Sequence, residues 1–426
     1  MSDTIVIVGA GHAGGELASA LRQGGHGERI VMVGEEGWLP YQRPPLSKAY
    51  LSSGGQVESL YLRPRSTFDA AGIEFLGGSR VERIDRGAKT LELANGERIG
   101  YGRLALTTGT RVRRITVPGA AQAEAASNFH YLRTVDDVVR LRTQFLAGRR
   151  IAIVGGGYIG LEVAAAAIKQ GLRVTVLEAA PRVLARVTAP EISAFYEGVH
   201  REAGVDLRTG AEVLGFDFDG AGAAITGVRF RDGATQGELS IAADLVVVGI
   251  GVVPNAELAA EAGLAVDNGI VVDESTRTSD PDIVAAGDCT SHPNAIVGRT
   301  IRLESVQNAV EQARAAAAAL CGHARPYRTV PWFWSDQYDL KLQMVGLSQG
   351  YDRLVLRGDP ATRSFSAFYL HEGRVIAADC VGRPKEFMLS KRIVAARAHV
   401  SAESLADESH DLKTLVPVPS DGAAPH

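Results

Sequence analysis

Two stretches decide the reading of this chain: Thr4-Ile5-Val6-Ile7-Val8-Gly9-Ala10-Gly11-His12-Ala13-Gly14, and Arg150-Ile151-Ala152-Ile153-Val154-Gly155-Gly156-Gly157-Tyr158-Ile159-Gly160. In each, an unbroken aliphatic run, the pattern of a parallel strand buried on both faces, ends in Gly-x-Gly-x-x-Gly and enters a helical stretch. Such glycines allow a tight turn, a close backbone approach to a pyrophosphate at the helix N-terminus, and close packing of helix on strand. One triplet alone is a weak signal. Here each is followed, about 20 residues on, by a second aliphatic strand with an acidic residue at its end. The strands are 30–33, leading to Glu35, and 173–177, leading to Glu178. These carboxylates are the candidate acceptors for ribose hydroxyls. Two dinucleotide folds in one chain point to two dinucleotides, one a tightly held flavin and one an exchanging nicotinamide. The flavin is assigned to the first because Thr107-Thr108-Gly109-Thr110 and the segment ending in Asp288 add flavin-type features around it.

Glu178 also bears on which nicotinamide nucleotide binds. A carboxylate there accepts hydrogen bonds from a 2′-hydroxyl but repels a 2′-phosphate, so the sequence favours NADH over NADPH. Arg182 lies one turn further on, with Pro181 expected to swing the chain away.

Composition sets the outer bounds. A chain of 426 residues allows two or three domains at ~150 residues each. It is 46% hydrophobic and 22% charged, enough apolar mass for several cores, and its net charge of −4 implies no field for nucleic acid. No apolar run reaches the ~18 residues of a membrane span, and Met1-Ser2-Asp3-Thr4 enters a strand without a basic leader, so a cytoplasmic protein with no membrane association is expected. The three cysteines, Cys289, Cys321 and Cys380, form no Cys-x-x-Cys pair and no metal-ligand spacing, so no metal site is expected.

The pattern predicts a first domain interrupted by a second, with a third appended: residues 1–110 and 241–325, then 111–240, then 326–410, and a Pro-rich flexible tail over 411–426. Strands are expected near 340–345, 354–356, 365–370 and 375–381 in the third domain, followed by a helix over 384–399.

The chain resembles the NADH-dependent, FAD-containing ferredoxin reductases of bacterial oxygenase systems, the group that includes putidaredoxin reductase. Beyond the two glycine loops, the resemblance is carried by Arg43-Pro44-Pro45-Leu46-Ser47-Lys48, Thr107-Thr108-Gly109-Thr110, Glu162, Gly249-x-Gly251-x-x-Pro254-Asn255, Ala286-Gly287-Asp288 and Trp332-Phe333-Trp334-Ser335-Asp336-Gln337. It implies an α/β fold with two Rossmann-like dinucleotide-binding domains, glutathione-reductase-like, plus a C-terminal α+β domain. FAD is then expected on Gly9, Gly11, His12, Ala13, Gly14, Glu35, Arg43, Lys48, Thr108, Gly109, Asp288, Glu304, Val306 and Trp334. NAD is expected on Gly155, Gly157, Tyr158, Ile159, Gly160, Glu178 and Gly251. Lys48, Glu162 and Trp334 are the expected catalytic residues, with Lys48 near the flavin and paired to Glu162, because a buried lysine needs a carboxylate. The bland alternatives are a solvated loop lysine, an exposed helical glutamate and a core tryptophan.

The resemblance further implies hydride transfer from nicotinamide C4 to flavin N5, single electrons passed to a 2Fe-2S ferredoxin, and a monomer or weak homodimer. Arg63, Arg65, Arg302, Lys341, Lys385 and Arg392 are candidates for a patch facing an acidic partner, with scattered solvated charges as the simpler reading. A flavin disulfide reductase or NADH peroxidase needs a redox cysteine in the first domain, and none precedes Cys289. A rubredoxin reductase, or a relative of apoptosis-inducing flavoproteins that acts through partner binding, remains as a rival.

Overall fold

In the computed structural model, which describes residues 3–416, the chain divides into two compact units. The first comprises the chain up to Arg43, Gln56–Arg111 and Val252–Pro331; the second comprises Pro44–Gly55, Val112–Gly251 and the chain from Trp332.

The first unit is built on a five-stranded parallel sheet, ordered Ile283–Ala285, Arg103–Leu106, Ile5–Val8, Ile30–Val33, Ile73–Leu76. Successive side chains of a strand go to opposite faces. Ile5, Ile7, Ile30 and Met32 pack with Leu17 and Leu21 of the helix His12–Gln23 and with Ala313 and Ala316 of the helix Val306–Leu320. Val6, Val8, Val31 and Val33 meet Leu91, Leu93 and Ile99 of an antiparallel meander, Val81–Asp85, Thr90–Leu93 and Arg98–Gly100. With both faces covered, the sheet requires a continuous hydrophobic run, each such side chain contributing about 1.5–3 kcal/mol on full burial.

The second unit is built on two five-stranded sheets. One is parallel, ordered Asp206–Thr209, Arg173–Glu178, Arg150–Val154, Leu245–Val248, Phe129–Tyr131. Its Ala152, Val154, Val246 and Val248 pack against Phe216, Val228 and Phe230 of a second meander. The other is antiparallel, ordered Trp332–Gln337, Leu340–Gly346, Arg374–Val381, Phe365–His371, Arg353–Arg357, with the helix Pro384–Ala395 against it.

The organisation differs from expectation: Pro44–Gly55, expected in the first domain, and the chain from Trp332, expected within a third domain over 326–410, both belong to the second unit. The second domain does not end at 240: Leu245–Val248 pairs with Ile151–Val154, and the unit runs on to Gly251. The last helix stops at Ala395 rather than 399, where Arg397 takes a left-handed φ of 48° that no helix continues. Nor is the tail loose from 411, since Leu412 is 1% exposed in a 3-10 turn, Leu412–Leu415. The preceding loop is tied to Arg357, which donates to the carbonyls of Leu405, Asp407 and His410 and pairs with Glu386. Residues 417–426 of the expected tail lie outside the described residues.

The antiparallel sheet joins the chain 188–200 through a buried polar cluster. Asp379 accepts from Thr188 Oγ1 and Tyr369 Oη, both at 2.5 Å, and the Ala189 amide donates to Tyr369 Oη at 3.1 Å. Burial pushes the Asp379 carboxyl up to about 6, against the two hydrogen bonds that favour its ionised form. The folded protein therefore keeps a proton that the unfolded chain loses near pH 3.8, and this site's contribution to stability falls as pH rises from there to about 6. Asp379→Asn should remove that slope. Between pH 4 and 6.5 the unfolding free energy of the variant should rise relative to the original by up to about 3 kcal/mol, measured by urea denaturation; a constant difference across the range would refute the assignment.

Candidate functional site

The two glycine loops are built alike, and the space around each glycine separates packing from binding. Gly9 has φ +109° and Gly155 φ +111°; a Cβ on either would strike a strand-end carbonyl, Thr107 O at 2.2 Å or Gly249 O at 2.5 Å. A Cβ on Gly14 or Gly160 would lie 2.0 Å from the carbonyl oxygen of Gly9 or Gly155. The middle glycines, Gly11 and Gly157, would meet nothing within 4 Å. They are also the N-caps of the helices His12–Gln23 and Tyr158–Lys169, with no side-chain cap. This open cradle at the positive end of a helix dipole fits a dinucleotide pyrophosphate in both units.

Around the first loop the expected residues fall into two groups. Gly287, with φ +89°, would place a Cβ 3.1 Å from that of Ala13, so the turn bearing Asp288 abuts the loop. Thr108 and Gly109 are held by Asn255: Thr108 Oγ1 donates to Asn255 O, Asn255 Nδ2 to Thr108 O, and the Asn255 amide to Gly109 O. Arg43 donates to Glu36 at 2.6 Å and to Tyr41 Oη at 2.9 Å. His12 opens its helix largely buried, and desolvation with the nearby Arg43 charge lowers its pKa to about 4, so the imidazole is neutral at physiological pH. The second group faces outward. Glu35 is 72% exposed and pairs only loosely with Arg80, and in register Gly34, not Glu35, matches Glu178, because Val33 and Leu177 occupy equivalent rungs. The half-buried carboxylate beside the loop is Glu36, which the sequence reading passed over. Glu304 pairs with Arg302, and Val306 opens its helix behind Ser305, whose hydroxyl caps the Asn308 amide.

In the second unit, Glu178 turns back on its own loop, accepting from the Gly156 amide at 2.5 Å and the Ala180 amide at 2.7 Å. Arg182 is committed elsewhere, to Thr188 O, Ser193 Oγ and Ala185 O. Tyr158 spends its side chain on the antiparallel sheet: its hydroxyl donates to Met344 Sδ and its ring lies 5.1 Å from Phe333. Only its backbone is left for a phosphate. Ile159 is 38% exposed, and Gly251 takes φ +103° at the end of the unit.

Lys48 and Glu162 form an ion pair at 3.0 Å, with Glu162 only 4% exposed. Glu162 also accepts from Ser47 Oγ at 2.5 Å and Ser335 Oγ at 2.6 Å. Trp334 lies on the opposite face of its strand from Ser335 and Gln337, 5.7 Å from Trp332, which in turn meets Phe387 and carries Lys391 over its ring. Of the six basic residues expected to form a patch, Arg63 is bound to the buried Glu16, and Arg302 is 13% exposed and held by Glu304.

The cysteines are all free thiols; burial raises the pKa of Cys289 and takes Cys380 up to about 12, the reverse of what a redox-active thiolate needs.

The glycine geometry makes a sharp distinction testable. Gly14→Ala should lower thermal stability even without flavin, whereas Gly11→Ala should leave the flavin-free melting temperature unchanged and weaken FAD binding by roughly tenfold or more. Calorimetry and flavin titration of the two variants read this directly, and equal effects on melting would contradict it.

Comparisons with known proteins identify the family. Residues 3–313 match the family model for pyridine nucleotide-disulphide oxidoreductases, and residues 332–416 match the reductase C-terminal model. The chain is 49% identical to putidaredoxin reductase of Pseudomonas putida, covering 97% of each, and 46% identical to rhodocoxin reductase of Rhodococcus erythropolis, covering 97% of this chain and 94% of that one. Among solved structures, the reductase in the covalent putidaredoxin reductase–putidaredoxin complex superposes with a TM-score of 0.92 at 49% identity, over 97% of this chain and 98% of that one. Two nucleotide folds with open glycine cradles, no reactive thiol and the C-terminal reductase module thus place the chain in the FAD-dependent, NAD(P)H-using ferredoxin reductase family of oxygenase systems, to which putidaredoxin reductase belongs.

Proposed function

We propose that this ferredoxin reductase takes its electrons from NADH rather than NADPH and delivers them to a small 2Fe-2S ferredoxin. That ferredoxin serves a haem monooxygenase or a Rieske-type oxygenase, and the reductase works in the cytoplasm as a monomer or weak homodimer. The observation that carries the nucleotide preference is the setting of Glu178. Its carboxylate is pinned by two loop amides at the mouth of the second cradle, while Arg182 is spent on Thr188, Ser193 and Ala185. A 2′-phosphate would meet negative charge there without a compensating guanidinium. The choice of acceptor is supported by the relatives, one of which is solved in complex with putidaredoxin.

FAD, when bound, supplies the conversion between a two-electron donor and one-electron acceptors. The chain's own part is binding and charge placement. Gly9, Gly11, Gly14, Arg43, Thr108, Gly109 and Asp288 would hold the flavin nucleotide, and Gly155, Gly157, Gly160 and Glu178 the nicotinamide nucleotide. Lys48, fixed by Glu162, provides a positive charge that needs no reorientation during turnover, and no side chain is required as a general acid. Trp334 is retained as an aromatic contact to the flavin.

Purified protein should be yellow, bleach anaerobically with NADH, and reduce cytochrome c only when a 2Fe-2S ferredoxin is added. Equal or faster flow to rubredoxin in a parallel assay would overturn the acceptor. For the nucleotide, Glu178→Arg should lower kcat/KM with NADH by roughly tenfold or more and raise it with NADPH; an unaltered preference in steady-state assays would show that Glu178 does not read the ribose.

A further inference from the structure

We infer that Ser335, Gln337 and His200 form a one-way chain of hydrogen-bond donors that orients the Glu162 carboxylate toward Lys48, which makes them positioning residues for the Lys48–Glu162 pair. The inference rests on the proposed role of that pair at the flavin, but its geometry stands independently.

The chain can be followed atom by atom. Ser335 Oγ lies 2.6 Å from Glu162 Oε1, the same oxygen that Lys48 meets at 3.0 Å. Gln337 Nε2 donates to Ser335 Oγ at 3.2 Å, and Gln337 Oε1 lies 2.9 Å from His200 Nε2. The other ring nitrogen, Nδ1, lies 3.0 Å from Tyr338 Oη. Ser335, Gln337 and His200 are all at most 1% exposed.

Chemistry then fixes the direction. Two oxygens 2.6 Å apart, one of them a carboxylate, must have a hydrogen between them, so the single Ser335 proton points at Glu162. Its oxygen is then an acceptor and must receive an N–H, which puts the Gln337 NH2 toward Ser335 and the Gln337 carbonyl toward His200. An amide oxygen only accepts, so His200 carries its proton on Nε2. Burial lowers the pKa of His200, which keeps the ring neutral and leaves Nδ1 to accept from Tyr338. Every donor therefore points toward Glu162, and bonds aligned in this way polarise one another in the same sense.

The elements explain how the chain is assembled. Ser335 and Gln337 are two apart on the strand Trp332–Gln337 and share a face. His200 comes from the helix Pro190–Glu202, and Tyr338 sits at φ +57° in the hairpin that follows the strand. Residues far apart in the chain thus converge on one carboxylate in the helix Tyr158–Lys169, which Ser47 braces on its second oxygen at 2.5 Å.

The test uses holoenzyme of Gln337→Leu, Ser335→Ala and Ser335→Thr, with FAD content and melting temperature measured first. Acylation of Lys48 at neutral pH, read by mass spectrometry, needs no turnover. It should be several-fold faster in Gln337→Leu and Ser335→Ala, where the partner carboxylate is free to turn away, and return to the original rate in Ser335→Thr. Anaerobic bleaching by NADH should slow by about one to two orders of magnitude in the first two variants, with KM for NADH little changed. Unaltered Lys48 acylation in both Gln337→Leu and Ser335→Ala would overturn the positioning role. If Lys48→Met bleaches normally while acylation still responds to Gln337→Leu, the role of the ion pair in flavin reduction fails and the orienting chain stands.

Discussion

A carboxylate sealed from water must be surrounded by donors, and the arrangement of the second unit follows from that demand at Glu162. Its side chain leaves the helix behind the second glycine loop with 4% exposure, and four residues from two segments of sequence attend it, directly or through one intermediary: Ser47, Lys48, Ser335 and Gln337. Removing any donor strands charge or a lone pair in a low-dielectric interior, a penalty larger than the net worth of the bond itself. Glu162 thereby ties the segment Pro44–Gly55 and the antiparallel sheet to the nucleotide-binding sheet in a single compact unit. A separable third domain over 326–410 would have left that carboxylate without Ser335.

The two nucleotide folds share a backbone device and differ in what surrounds it. In both, the outer glycines satisfy the protein's own packing, and the middle glycine leaves room for a ligand. Selectivity must come from the residues beyond: Glu178 locked onto its loop in one unit, and Gly34 at the equivalent rung in the other, with Glu36, Tyr41 and Arg43 forming a separate polar cluster.

Much of this was legible in the amino-acid sequence because the deciding features are local. The aliphatic runs, the glycine spacing and the alternation in 340–381 each report their own environment, so both parallel sheets and the antiparallel one were foreseeable. What escaped depends on contacts remote in sequence. Nothing near residue 240 announces that 245–248 pairs with 151–154, since both candidate sheets want the same kind of strand. Glu35 looked like the partner of Glu178 because acidic residues follow both strands, and only the register shows the offset. His200 carried no signal of its own, and Gln337 and Asn255 stood out only as members of longer motifs, with no role attached, as each works through a hydrogen bond to a residue 137 or more positions away or through an intermediary.

The emptiness around Gly11 and Gly157 has an evolutionary corollary. No neighbouring atom of the fold forbids a methyl group at either place, so any demand for glycine there comes from occupancy by nucleotide rather than from folding. A descendant that had abandoned one of its cofactors would be free to drift there first, while the flanking glycines persisted as relics of architecture. The order in which the three erode would record which substrate a lineage had lost.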